Sequence, residues 1–98
     1  MKRNYELAFV VRVDAPTDEG VNDAVNQVQA WVTAGEMGAV TKVDRWGRRK
    51  LAYEINGQRE GYYVIMNAEI DTKNLPELER NLKLSNAILR YLLIRADE

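Results

Sequence analysis

Lys50-Leu51-Ala52-Tyr53-Glu54-Ile55-Asn56-Gly57-Gln58-Arg59-Glu60-Gly61-Tyr62-Tyr63-Val64-Ile65-Met66-Asn67-Ala68-Glu69-Ile70 is the stretch on which the fold turns. Asn56-Gly57 is a strong hairpin signal, because a tight two-residue turn needs positive φ at both positions and these residue types accept it. On its far side Gly61 to Ile70 reads as a strand. Tyr62, Val64, Met66 and Ala68 form one face, and Tyr63, Ile65, Asn67 and Glu69 the other. On its near side Val40 to Asp44 and Arg49 to Ile55 read as two parts of one long strand, bent or interrupted near Gly47.

Helical patterns flank this hairpin. After a turn at Asp14-Ala15-Pro16-Thr17, Thr17 is the expected N-cap, with Asp18 and Glu19 in the first turn. Val21, Val25, Val28 and Val32 then recur at helical spacing, so a buried stripe is expected as far as about Thr33, with Gly35 or Gly38 ending the helix. A second helix starts at Asn74-Leu75-Pro76-Glu77. Asn74 is the expected cap, Glu77 holds the capping-box position, and Leu75, Leu78 and Leu82 face inward. Outside the helices lie two more strands. Tyr5, Leu7, Phe9 and Val11 alternate with Glu6, Ala8, Val10 and Arg12 in a strand from Tyr5 to Val13. In Ala87 to Arg95, Leu89, Tyr91 and Leu93 oppose Arg90, Leu92 and Ile94.

The resulting order is βαββαβ, with no linker, repeat or low-complexity segment, so residues 1–98 read as one domain. Right-handed crossovers put both helices on one face of a four-stranded antiparallel sheet with the first and third strands central. This is the α+β, ferredoxin-like sandwich. The other sheet face is open. By parity it carries Ala8, Val10, Tyr63, Ile65, Leu92 and Ile94 among Arg12, Asn67 and Arg90. That is more apolar surface than a solvated sheet needs, and it points to a partner; the plainer alternative is β-formers decorating a solvent face.

Chemistry is sparse. The chain has no His and no Cys, which removes the commonest general base, the commonest metal ligand and any disulfide. Ser85 is the only serine, with nothing nearby in sequence to activate it. There is no calcium-loop spacing and no Gly-rich phosphate loop, so no catalytic residue, metal or cofactor is expected and the chain does not read as an enzyme. Its apolar runs fall far short of a membrane span, and Met1-Lys2-Arg3-Asn4-Tyr5 enters a strand at once, so the simplest reading is a bacterial cytoplasmic protein.

Charge is local. The formal net charge is −1, yet Lys42, Arg45, Arg48, Arg49 and Lys50 crowd residues 42 to 50 against Asp44. No Lys or Arg occurs between Arg12 and Lys42. A cationic hairpin on a near-neutral chain is aimed at an anion, usually phosphate. The competing reading is an edge strand guarded by cations against aggregation. Arg59-Glu60-Gly61-Tyr62-Tyr63-Val64 is only superficially like the first RNA-contact motif of RRM domains. Base stacking needs aromatics two apart on one face, whereas Tyr62 and Tyr63 are adjacent, and Tyr62 is expected in the core. Trp31 is expected to flank the first helix's apolar stripe. Trp46 is expected to pack locally beside Gly47 rather than to stand out as an interface anchor.

Four segments, in order and over nearly the whole chain, carry a family resemblance. They are Arg3-Asn4-Tyr5-Glu6-Leu7, Trp46-Gly47-Arg48-Arg49-Lys50-Leu51-Ala52-Tyr53, Glu60-Gly61-Tyr62-Tyr63-Val64, and Leu82-Lys83-Leu84 through Ile88-Leu89-Arg90-Tyr91. Together they resemble the bacterial small-subunit ribosomal protein S-six (S6) family. The resemblance implies a structural protein of the small subunit that binds the central domain of the small-subunit ribosomal RNA together with ribosomal protein S-eighteen (S18), its heterodimer partner. Lys2, Arg3, Arg90 and Arg95 are then expected at RNA, because the first and last strands are neighbours. Arg48, Arg49 and Lys50 are expected at RNA or at the protein partner, and Tyr63, Ile65, Leu92 and Ile94 at the partner. The chain departs from many members in having Glu54 after Tyr53, where Pro is frequent. It also ends at Ala96-Asp97-Glu98, where some members carry a longer acidic tail that receives added glutamates. The alternative function is a ferredoxin-like regulatory module that self-associates through its open face and binds a small anionic effector.

Overall fold

The computed structural model describes residues 2–13, 19–55 and 57–96. Strand β1 (Lys2–Arg12) leads to helix α1 (Glu19–Thr33), strands β2 (Gly38–Ile55) and β3 (Gln58–Asp71), helix α2 (Leu75–Leu84) and strand β4 (Ile88–Arg95). The sheet order is β2-β3-β1-β4, every neighbouring pair antiparallel, so β3 and β1 are central as expected. The expected turn at Asp14 to Thr17, its Thr17 cap and Asn56 lie outside the described residues.

The alternation along β1 explains the core. Tyr5, Leu7, Phe9 and Val11 are buried, and their partners across the central pair include Ala68, Met66 and Val64, buried likewise. Val21, Val25, Val28 and Val32 of α1 and Leu78 and Leu82 of α2 join the same cluster, so both helices cover one sheet face. Tyr62, Trp31 and Leu75 pack partly buried against it, as their positions lead one to expect. Burying each large aliphatic side chain here contributes about 1.5–3 kcal/mol relative to leaving it in water.

Two glycines let the chain close on itself. At Gly38 an added Cβ would meet the Val32 carbonyl oxygen at 2.3 Å, so only glycine lets β2 start against the end of α1. Before it, Gly35 takes φ 62° in a single 3-10 turn, Ala34–Glu36, that stops the helix. At Gly61 an added Cβ would meet Val10 Cγ1 at 2.2 Å and Leu51 Cδ2 at 3.5 Å. That close approach helps to bury Val10 although it lies on the open face.

Several local expectations need correction. Asn74 makes no cap hydrogen bond to α2. A 3-10 turn, Thr72–Asn74, precedes the helix, so Asn74 already has helical dihedrals and cannot act as the cap. The cap of that turn is Asp71, whose Oδ1 accepts the Lys73 backbone N–H at 3.0 Å. Asn74 is instead buried, and its Nδ2 donates to the carbonyls of Trp31 (3.2 Å) and Val32 (3.3 Å), two groups at the end of α1 that lack helical partners. Strand β2 is the one long strand expected, with its pairing irregular beside Gly47, while β4 starts at Ile88 rather than Ala87 and shifts register between Ile88 and Arg90, opposite Val11 and Val10. Trp46 does not pack locally. It is the extra residue between the pairs Arg45↔Val64 and Gly47↔Tyr63, and the bulge leaves it 56% exposed.

Candidate binding surfaces

The open sheet face is built by strict cross-strand pairing. Ala8 stands opposite both Ile65 and Leu92, Val10 opposite Tyr63 and Arg90, and Glu6 opposite Asn67 and Ile94. The parity reading of the sequence thus brings its expected partner residues, Tyr63, Ile65, Leu92 and Ile94, onto one face. Leu92 is 58% and Ile94 46% exposed, while Tyr63 and Ile65 are half-buried. Ala8, Val10, Tyr63, Ile65, Arg90 and Leu92 line a shallow concavity of about 250 Å³. An apolar hollow with a guanidinium at its margin suits an amphipathic protein surface better than a small polar ligand.

The long hairpin reaches beyond β1, whose last pair on β3 is Arg12↔Gly61. Its register separates the three expected cations. Arg49 pairs with Gly61, in line with Tyr63 on the open face, whereas Arg48 pairs with Tyr62 and Lys50 with Glu60, which by alternation fall on the helix side. Arg49 also donates from Nη2 to the Trp46 carbonyl at 3.4 Å, folding back over the bulge. Arg45, on the helix side, donates to Asn22 Oδ1 of α1 and so ties β2 to the helix layer. Lys42 and Asp44 form an exposed pair at 3.6 Å, of the kind that contributes little to stability.

Further out the hairpin departs from a flat ribbon. Between the pairs Lys50↔Glu60 and Ile55↔Gln58, five residue steps on β2 oppose two on β3. The surplus lets Leu51 to Glu54 swing over the sheet. Tyr53 lands beside Arg90 of β4, at the opposite edge. Arg90 Nη1 donates to the Tyr53 hydroxyl at 2.9 Å, and its guanidinium carbon lies 5.8 Å from the ring centre. No alternation pattern reveals this contact, because it depends on unequal strand lengths rather than on the facing of side chains.

The four cations expected at RNA do not form one cluster. Lys2, Arg3 and Arg95 gather at one end of the sheet, where Lys2 pairs with Asp71, Arg3 with Ile70 and Arg95 with Tyr5. Arg90 lies five residues before Arg95, about 17 Å away along an extended strand. It belongs with the hairpin arm instead. Among the described residues no group of His, Cys, Asp and Glu could hold a metal ion, and no helix is long and apolar enough to cross a membrane.

Comparison with known proteins agrees with this architecture. The family model described as Ribosomal protein S6 matches residues 4–95. The chain is 40% identical over 96 residues to small ribosomal subunit protein bS6 of Moorella thermoacetica, covering 98% of this chain and 96% of that one. It is 41% identical over 96 residues to the bS6 protein of Thermoanaerobacter pseudethanolicus, covering 98% and 99%. The crystal structure of 30S ribosomal protein S6 from Thermotoga maritima superposes with a TM-score of 0.87 at 32% identity, covering 98% of this chain and 89% of that one.

Proposed function

The chain belongs to the ribosomal protein S6 family, whose members are structural rather than catalytic, and from that premise we propose that it acts in the bacterial cytoplasm as a constituent of the small ribosomal subunit. It binds the central domain of the small-subunit ribosomal RNA jointly with S18, as a single domain over residues 1–98. The observation that carries this reading is the pairing of an apolar open face with a cationic arm curled over its margin.

The division of labour follows from chemistry. Tyr63, Ile65, Leu92 and Ile94 give the protein partner an apolar surface whose burial drives association. Lys2, Arg3 and Arg95 at one end of the sheet, and Arg90 at the other, meet RNA phosphates. Arg48, Arg49 and Lys50 extend the cationic margin toward RNA or partner. Phosphate contacts of this kind position a protein on folded RNA without reading bases. A net charge of −1 limits what the chain attracts alone, so affinity is shared with the partner.

The test is direct. The protein is mixed with a central-domain RNA fragment with and without purified S18. Weak binding alone and much tighter binding with S18 is the expected outcome. Equal affinity in both conditions overturns the joint-binding mechanism, and a homo-oligomer that ignores RNA and S18 favours an effector-binding module instead.

A further inference from the structure

We infer that Tyr53 is a positioning residue: it latches the hairpin arm across the open face and holds Arg90 in place at the margin of that face. The latch stands on the structure, and its use in binding rests on the function proposed above.

Three observations bear on it. First, Tyr53 and Arg90 lie on the two outer strands of the sheet, β2 and β4, with β3 and β1 between them. A hydrogen bond between them at 2.9 Å therefore spans the open face. Second, the arm is shaped for this reach. Of the five residues that β2 has in surplus over β3, three fall between Lys50 and Ile55, the segment that holds Tyr53. Third, the base of the arm is seated where glycine alone fits. Leu51 lies over Gly61, whose missing Cβ also makes room for Val10.

The chemistry of the pair suits a positioning role. A guanidinium has five N–H donors in a fixed planar fork, and the bond to Tyr53 uses one. Its proximity to the ring adds a cation–π attraction. An Arg held this way has already lost most of the freedom it would otherwise lose on meeting a phosphate or carboxylate, so binding costs less. Tyr53 itself is 60% exposed, so it contributes little to the core and its conservative variants will fold.

Two measurements test the inference. In the free protein, hydrogen exchange of the backbone amides of residues 49–55 reports whether the arm is latched. Tyr53→Phe should speed exchange there by about fivefold, the loss of one exposed charge-assisted hydrogen bond; Arg90→Ala, which also removes the cation–π contact, should speed it at least as much; and the double variant should go no further than Arg90→Ala alone. In assembly with the central-domain RNA and S18, Tyr53→Phe should weaken binding when Arg90 is present and have no effect in the Arg90→Ala background. Phe keeps the ring, so this loss separates positioning from direct stacking. Unchanged exchange in both single variants overturns the latch. Additive binding losses overturn the positioning role, because Tyr53 would then touch RNA or S18 independently. Coupled exchange with binding indifferent to Arg90→Ala supports the latch and overturns the binding role proposed for Arg90.

Discussion

At the scale of single residues, the strongest constraints are on side chains whose roles depend on close approach. Gly61→Ala places a Cβ 2.2 Å from Val10 Cγ1 between two central strands. Such overpacking costs about 1–3 kcal/mol, so a lowered Tm is expected, and Val10→Ala in the same chain should restore part of it. An unaltered Tm would mean that Val10 moves aside freely. Asn74→Ala removes a buried amide and leaves the Trp31 and Val32 carbonyls without that donor, at a cost of about 1–3 kcal/mol, read from the denaturant midpoint. Asp71 gives a pH signature. The Lys73 N–H bond to its carboxylate holds the folded pKa below the ordinary aspartate value of 3.8. Because the folded value is depressed, the stabilisation is present above pH 3.8 and lost as pH falls through the lower folded value. Asp71→Asn should therefore flatten the acid limb of the stability profile and leave its shape above pH 5 unchanged, as thermal melts across pH will reveal.

At the scale of elements, the cationic arm is where two physical readings make opposite predictions. Replacing Arg48, Arg49 and Lys50 with Ala should change folding little, since exposed substitutions usually stay within about 0.5 kcal/mol each. Assembly with RNA and S18 should fall much more, because each lost cation removes an attraction or a charge-assisted hydrogen bond. If the cations only guard an edge strand, the variant should instead assemble normally and aggregate. Tm, solubility and assembly of the triple variant together decide the matter. Strands and helices were legible in the sequence because each buries one face, and burial imposes a period: the Tyr5–Val11 alternation and the Val21–Val32 stripe needed no further information. Trp46, Asn74 and Tyr53 were not legible for a common reason. Each sits where the period breaks, at a bulge, a 3-10 turn and a looped-out segment, and there the backbone geometry decides where a side chain goes.

At the scale of the whole molecule, the sheet separates charge into two groups that the sequence runs together. β1 and β4 are neighbours, which made Lys2, Arg3, Arg90 and Arg95 read as one RNA-facing set. Antiparallel pairing places Arg95 beside Tyr5, on the helix side, and Arg90 beside Val10, on the open face, so the set divides along the strand and between the two faces. Alternation alone separates the two faces, but distance along the strand required the register. The separation has a measurable consequence. If both groups meet phosphates, Lys2→Ala/Arg3→Ala/Arg95→Ala and Arg90→Ala should each reduce the magnitude of the salt slope for assembly, by about 0.7–0.9 per contact removed. Sites this far apart perturb independently as a rule, so the combined variant should lose the sum of the two reductions. A slope that falls only for the Lys2, Arg3 and Arg95 group, with binding still weakened by Arg90→Ala, would place RNA at that end of the sheet and S18 over the latched arm. The sheet would then be divided between two partners, RNA held by charge at one end and protein held by apolar burial on the open face beside Arg90.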